Sequence, residues 1–373
     1  DADDAGGPLV PAMPNLHSHA FQRGVAGRTG HAGSTGEDSF WTWRQAMYAF
    51  LERLDPDGFE AIAAQVYVEM AKAGYGAVAE LHYVHHDPAG RPYADRGEMA
   101  KRVLVAARRA GTPLTLLPVY YAHGGFNAAL PSPAQRRFVM STDAFASMID
   151  ALAPDVRAQS AVLGVAPHSL RAVTPGELDR VVAAAPPRSP VHIHVAEQTR
   201  EIEECVAWSG HRPVEWLLAH GTIDARWCLV HATHMVEREV HALAASGAVA
   251  GLAPTTEADL GDGTFPGVAY AGVGGLWGVG SDSNTIVDPF DELQTRPFNL
   301  LFNNIGRHPN LTPWQGQEGS HARFVNALIG NNGAANVDND ADAVQGSLVR
   351  RERATIAWGL AAAVLYGSDD SED

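Results

Sequence analysis

The sequence predicts an α/β fold in which eight parallel strands close into a TIM-like (β/α)8 barrel. Three observations carry this. Short apolar runs alternate with longer amphipathic stretches through the first two-thirds of the chain. Eight such runs can be counted, and His, Glu or Asp residues recur at their C-terminal ends. The 373 residues leave room for one barrel of about 250 residues with additional sequence.

In chain order, a strand is expected at 9–16, followed by a helix at 57–73. The next pairs are a strand at 76–83 with a helix at 95–110, and a strand at 113–120 with a helix at 142–153. A strand at 161–167 leads to a helix at 174–184, where Thr174 is the expected N-cap and Pro175 the first helical residue. A strand at 190–195 leads to a helix at 199–219, and a strand at 227–231 to a helix at 235–246. The last two strands are expected at 248–252 and 276–280. Several of these runs are rich in Val, Leu and Ile, and many end in Pro, Gly or polar residues. A doubly wound open sheet has the same alternation. However, no strand–Gly-x-Gly-x-x-Gly–helix unit opens the chain, which weighs against a dinucleotide-binding domain.

Beyond about residue 288 the alternation stops. Residues 299–346 are rich in Asn, Gly and Asp and are expected to be mostly loop. Residues 350–366 read as an Ala-rich helix, and the terminal Gly-Ser-Asp-Asp-Ser-Glu-Asp as a disordered acidic tail. The expected division is a barrel over 1–290 and an atypical C-terminal region over 291–373.

Composition narrows the function. A hydrophobic content of 46% is that of a globular chain. A formal net charge of −16 argues against a general nucleic-acid binder, though not against one local anion pocket. Two cysteines exclude a disulfide scaffold and suit a reducing cytoplasm. No apolar stretch is long enough for a transmembrane helix, and the acidic start lacks the basic region of a signal peptide.

The histidines carry the chemistry. His17 and His19 stand at alternate positions at the end of the first strand, so both imidazoles can face one barrel mouth. His192 and His194 share a face of the fifth strand, with His192 deeper and expected to pack. Glu197 follows His194 by three residues, His231 ends the sixth strand and Asp282 the eighth. Each signal is common by itself. Together they deliver His, Glu or Asp in order to the end of a barrel where active sites sit. His17, His19, His194 and Asp282 form a ligand set for one divalent ion, Zn²⁺ in the first instance. Such an ion lowers the pKa of water toward neutrality. Asp282, Glu197 and His231 are then the candidate proton carriers. The fourth strand ends in Ala-Pro-His-Ser without a lysine, so no carboxylated lysine is available to bridge two metals.

The segments Met-Pro-Asn-Leu-His-Ser-His-Ala-Phe-Gln-Arg (13–23), Ser-Phe-Trp-Thr-Trp-Arg (39–44), Glu-Leu-His-Tyr (80–83), Ala-Pro-His-Ser-Leu-Arg (166–171), His-Val-Ala-Glu-Gln (194–198) and Gly-Ser-Asp-Ser-Asn (280–284) extend this reading. Over about 8–290 the chain resembles the amidohydrolase superfamily, in its mononuclear deaminase branch, and within it the formimidoylglutamate deiminases. The resemblance implies a metal-dependent hydrolase acting on C–N bonds of linear amidines. It implies release of ammonia from N-formimidoyl-L-glutamate, leaving N-formyl-L-glutamate, in histidine degradation. It also implies metal ligation by His17, His19, His194 and Asp282, proton handling by Glu197 and His231, and substrate binding by Gln22, Arg44, Tyr83, His168 and Arg171. Two arginines suit a small dianionic substrate, since a guanidinium holds a carboxylate in two-pronged fashion. Members of the family carry a small β-sandwich built from segments before and after the barrel. That domain is expected to be largely missing here, because the resemblance starts at the first barrel strand and fades beyond about Pro289. Two alternatives remain open: a related deaminase acting on another amidine or heterocyclic amine, and a truncated non-catalytic remnant. Neither nucleic acid nor membrane is an expected partner, and a homodimer is left open. The spaced Asp338, Asp340 and Asp342 lack the Gly and Glu of a calcium loop, and the sequon at Asn310 has no secretory context.

Overall fold

A computed structural model of the chain describes residues 12–27 and 40–294. Eight strand positions run parallel: β1 (Met13–Ser18), β2 (Tyr75–His82), β3 (Leu114–Tyr120), β4 in two pieces (Val162–Leu163 and Ala166–Pro167), β5 (Val191–Val195), β6 (Trp227–His231), β7 (Val249–Leu252) and β8 (Leu276–Val279). Ladders join β1 to β4 in sequence order and β5 to β8 likewise. The two halves meet at two seams. Val165 pairs with Val191 and Ser169 with His194 at one, and Ser18 pairs with Asp282 at the other. The ring is therefore a (β/α)8 barrel, as the alternation of the sequence predicts.

Strands β3, β5, β6 and β7 are buried along their whole length, which is why they read as continuous apolar runs rather than alternating ones, whereas β8 is half-buried over its first three residues. Helices lie between and around the strands: α1 (Phe40–Leu51), α2 (Pro56–Ala73), α3 (Glu98–Ala110), α4 (Thr142–Ala158), α5 (Pro175–Ala183), α6 (Thr199–Ser209), α7 (Pro213–His220), α8 (Glu237–Ser246), α9 (Pro254–Leu260), α10 (Gly267–Gly272) and α11 (Pro289–Gln294), with α1 and α9 at the mouth of the barrel. In α3 the residues Met99, Ala100, Val103, Leu104 and Ala107 fall on one buried stripe, the spacing of an amphipathic helix. The expected cap of α5 is present. Thr174 Oγ1 accepts from the Glu177 N–H, and the Glu177 carboxylate accepts from the Thr174 N–H.

Several boundaries differ from the sequence expectation. The first strand is described over Met13–Ser18 and runs two residues past the expected end at 16, while residues 9–11 of that expectation lie outside the described residues. The helix expected over 199–219 is two, α6 and α7. Gly210 closes α6 in the left-handed conformation at φ 77°, and Pro213 starts α7. α4 runs on through Pro154 to Ala158. Short helices α9, α10 and α11 fill the ground after β7 and β8, where periodicity over six or seven residues is too brief to read. The loop expected at 299–346, the helix at 350–366, the acidic tail, Asn310 and the aspartates at 338–342 lie outside the described residues.

Two glycines stand at the seam between β1 and β8, and at Gly280 it is the β1 backbone that lies close. A Cβ on Gly278 would stand 2.2 Å from Leu16 Cδ1, and one on Gly280 would stand 2.5 Å from the His17 nitrogen and 2.6 Å from its carbonyl oxygen. The backbone of β1 cannot yield without opening the barrel. Gly280→Ala should therefore cost about 1–3 kcal/mol or more and lower Tm by several degrees. Gly176→Ala, where a Cβ meets nothing within 4 Å on α5, should leave Tm unchanged or raise it. Equal melting temperatures for the two variants would contradict this role of the seam.

Candidate active site

The C-terminal ends of β1, β5, β6 and β8 converge on one buried cluster. His17 lies within β1 and His19 just beyond it, His194 within β5, and Asp282 just after β8. Their ligating atoms are close. His194 Nε2 is 3.3 Å from both His17 Nε2 and His19 Nε2. Asp282 Oδ1 is 3.2 Å from His17 Nε2 and 3.6 Å from His19 Nε2. A tetrahedral zinc site with bonds of about 2.0–2.1 Å has ligand–ligand edges of about 3.3–3.4 Å. These four edges are near that length, and the ligating atoms fall into two close groups that share His17: His17, His19 and Asp282, and His17, His194 and His231.

The protonation pattern agrees. The Leu81 carbonyl oxygen lies 2.8 Å from His19 Nδ1, and the His168 carbonyl oxygen 2.9 Å from His194 Nδ1. A carbonyl only accepts, so each Nδ1 carries the hydrogen and each Nε2 presents a lone pair. Burial, then the neighbouring histidines, hold His17 well below the ordinary histidine range; burial and His17 do the same for His19. Burial and His231 bring His194 down to about 4. His19 and His194 thus turn acceptors toward the same point as the Asp282 carboxylate, and His17, whose Nδ1 has no partner among the described residues, is the third neutral imidazole there. A divalent cation is what such a donor set fits.

A buried polar chain holds these ligands in place. Asn15 Oδ1 accepts from the Ser281 N–H at 3.1 Å and the His17 N–H at 3.2 Å, and its amide donates to Ser281 Oγ at 2.7 Å. Ser281 Oγ donates to Asn284 Oδ1 at 2.6 Å, and the Asn284 amide donates to Ser18 Oγ at 3.1 Å. Ser18 Oγ in turn donates to Glu80 Oε2 at 2.8 Å, while Glu80 Oε1 accepts from the Ala20 N–H at 2.6 Å. Burial pushes Glu80 up to about 8 against those bonds. The backbone adds two more links across the seam: His19 N–H to the Asp282 carbonyl, and Asp282 N–H to the His17 carbonyl, both 2.9 Å.

Beside the cluster stand the proton-handling candidates. His231 Nε2 is 3.9 Å from Asp282 Oδ2 and 3.9 Å from Glu197 Oε1. Its Nδ1 lies 3.2 Å from Glu257 Oε1. Burial opposes a charge on His231, but Glu197, Glu257 and Asp282 outweigh it and raise the ring to about 10. Both His231 and Asp282 adopt left-handed backbone conformations, at φ 68° and 44°, as does Ala196 at 53°. Non-glycine residues held there mark backbone strain, which concentrates at functional sites.

The pocket over this centre is lined by every substrate-binding residue expected from the sequence: Gln22, Arg44, Tyr83, His168 and Arg171. Gln22 sits on the 3-10 turn after His19 and donates to Tyr83 Oη at 2.7 Å. Arg44, on α1, donates through Nε to Tyr48 Oη at 2.8 Å. The His168 ring packs edge-on against Tyr121, 4.7 Å between centroids, and burial, then His194 and Arg171, hold it neutral. Arg171 Nη2 faces Glu197 Oε2 at 3.7 Å and Glu201 Oε2 at 3.9 Å. His192, expected to pack, is buried with neither ring nitrogen partnered among the described residues. The sequence reading did not single out Glu257, Glu201, Asn15, Ser281 or Glu80. Asn15, Glu80 and Ser281 lie within the distinctive segments but have no telling spacing to the ligands, Glu201 and Glu257 lie outside those segments, and only the closed barrel brings all five to the site. Both cysteines, Cys205 and Cys228, are buried and free.

Comparison with known proteins agrees with this geometry. The model of the amidohydrolase family matches residues 9–300. The chain is 52% identical over 293 residues to a formimidoylglutamate deiminase of Pseudomonas aeruginosa, an alignment covering 79% of this chain and 64% of that protein. It therefore spans just under two-thirds of the length of that relative. The crystal structure of an amidohydrolase from Brucella melitensis superposes with a TM-score of 0.78 at 50% identity, covering 87% of this chain and 71% of that one. The fold is shared more distantly, at 20% identity and a TM-score of 0.64, by a zinc-bound adenosine deaminase from Xanthomonas campestris, over 96% of this chain and 67% of that one. By its barrel, its converging His and Asp side chains and this match over most of its length, the chain belongs to the amidohydrolase family.

Proposed function

We propose that the chain is a metal-dependent deiminase that hydrolyses N-formimidoyl-L-glutamate to N-formyl-L-glutamate and ammonia, a step of histidine degradation. The observation that carries this reading is one pocket that joins a metal-ligating cluster to two arginines, Arg44 and Arg171. The 52% identity to a formimidoylglutamate deiminase supports the same substrate. A pocket for a neutral amine has no need of two guanidinium groups.

One divalent ion, Zn²⁺ in the first instance, would be held by His17, His19, His194 and Asp282, and would supply the Lewis acidity that makes water a nucleophile near neutral pH. The chain's own groups do the rest. Water adds to the amidine carbon, and Asp282 Oδ2 takes its proton. Glu197, 3.9 Å from His231 and on the pocket side, delivers a proton to the departing nitrogen. Asp282 hands the first water proton to the same nitrogen, the carbon–nitrogen bond breaks and ammonia leaves, and the carbonyl of the formyl group forms as the added hydroxyl gives its remaining proton to Glu197, restoring it. His231, kept cationic by the carboxylates around it, steadies negative charge as it develops on the oxygen. Arg44 with Gln22 and Tyr83 anchors one substrate carboxylate, and Arg171 with His168 the other. The substrate is a small dianion, with neither nucleic acid nor membrane as partner, and the cytoplasm is the proposed compartment. Among the described residues no helix is long and apolar enough to cross a membrane.

Zinc-loaded protein should release ammonia from N-formimidoyl-L-glutamate, and treatment with a chelator should abolish the release. A folded, metal-bound protein without this activity would refute the reading. Glu197→Gln should retain the metal but lower kcat by about 10²–10⁴-fold, the range for a removed general acid–base group. Arg44→Ala should lower kcat/KM by about 10–100-fold, the loss of one charged hydrogen-bonding anchor. Unchanged turnover of a neutral amine by Arg44→Ala, with no activity on the dianion in the parent protein, would instead indicate a deaminase for a different amine.

A further inference from the structure

Glu197 and Arg171 reach the pocket from different elements, yet one side chain touches the support of both. Glu201, in the first turn of α6, is buried at 1% exposure. Its Oε1 accepts from the Ala196 N–H at 3.1 Å and its Oε2 from the Glu197 N–H at 3.2 Å. The same Oε2 faces Arg171 Nη2 at 3.9 Å, and that nitrogen also faces Glu197 Oε2 at 3.7 Å.

The link from β5 to α6 is a sharp turn, with Ala196 at φ 53°. It points two backbone N–H groups inward, where an unpartnered donor is costly. The residue preceding α6, Gln198, supplies no side-chain cap. The two oxygens of Glu201 satisfy both donors and so fix the turn that aims Glu197 at His231. Burial pushes the Glu201 carboxyl up from the ordinary range against Arg171 and the two N–H groups, and the same carboxyl does a second thing. Arg171 has Glu197 as one partner, and Glu197 is the group proposed to change charge during turnover. Glu201 is a second carboxylate that stays beside the guanidinium whatever the state of Glu197.

We propose that Glu201 is the positioning residue that locks the proton carrier Glu197 and the anion anchor Arg171 into one frame. The inference rests on the roles proposed for Glu197 and Arg171, and it goes beyond them by coupling proton transfer to substrate carboxylate binding. A helix-capping role alone would change stability and leave kcat and KM of the folded protein unchanged.

The test is a pair of double-mutant cycles in the full chain, with zinc content measured for each protein and N-formimidoyl-L-glutamate as substrate. Glu201→Gln keeps the volume, removes the charge and turns one acceptor into a donor. In folded, zinc-loaded protein it should lower kcat and raise KM, each by at least about tenfold. In a Glu197→Gln background the same change should lower kcat by less than about threefold further but still raise KM. In an Arg171→Met background it should raise KM by less than about threefold further but still lower kcat. Glu201→Asp, which keeps the charge and the acceptors on a shorter stem, carries the same cycles if Glu201→Gln does not fold. Wild-type kinetics in the folded variant would overturn the proposal, as would full multiplicative losses in both backgrounds. Failure of both variants to fold would make Glu201 a residue of the fold alone and would equally overturn it. Should Glu197→Gln and Arg171→Met themselves leave kinetics unchanged, the proposed function fails rather than the role of Glu201.

Discussion

The close approach of β1 and β8 is the constraint on which the site depends. Gly280 lets the chain after β8 meet the β1 backbone, Gly278 makes room for the Leu16 side chain, and Asn15, Ser281, Asn284 and Ser18 tie the two segments together with buried hydrogen bonds. The strands joined there carry His17, His19 and Asp282. Were the seam a fraction of an ångström wider, the Asp282 carboxylate would leave the imidazoles it now meets at 3.2 and 3.6 Å. A ring that closes is thus also a ring that assembles its ligands. This is a physical reason for a barrel to keep polar side chains in a place where apolar packing would cost less.

From that closure the electrostatics follow. Burial and mutual proximity keep His17, His19 and His194 neutral, while three carboxylates around His231 favour its charge. Histidines a few ångströms apart are thereby divided into two kinds, ligands with free lone pairs and one cation. Carbonyls of Leu81 and His168 set which nitrogen of the ligands faces the centre. Residues outside the cluster, chiefly Glu257 and Glu201, give the catalytic candidates their orientation.

Much of this was legible in the sequence, for identifiable reasons. Parallel strands buried on both faces are apolar runs, and side chains at their C-terminal ends share one mouth, so His17, His19, His194, His231 and Asp282 could be placed in one site by order alone. The segments around Gln22, Arg44, Tyr83, His168 and Arg171 were distinctive enough to carry a family resemblance. What could not be read is what the closed ring brings together. Glu257 lies 26 residues from His231 in sequence, and Asn15 lies 266 from Ser281. Neither separation carries a periodicity. Backbone strain at His231 and Asp282 has no composition signature either, because neither residue is glycine. The division of the expected helix at 199–219 shows the converse. Gly210 and Pro213 were visible punctuation, but the apolar stripe running across them masked the break.

The central claim is that His17, His19, His194 and Asp282 together hold one metal ion. X-ray absorption at the zinc edge on protein equilibrated with zinc, with metal content per chain measured alongside, tests it most directly. The expected result is one zinc per chain, with imidazole nitrogens and a carboxylate oxygen at about 2.0–2.2 Å, and loss of that signal in Asp282→Ala. A folded chain that takes up no zinc, or that binds it equally well without Asp282, would contradict the claim.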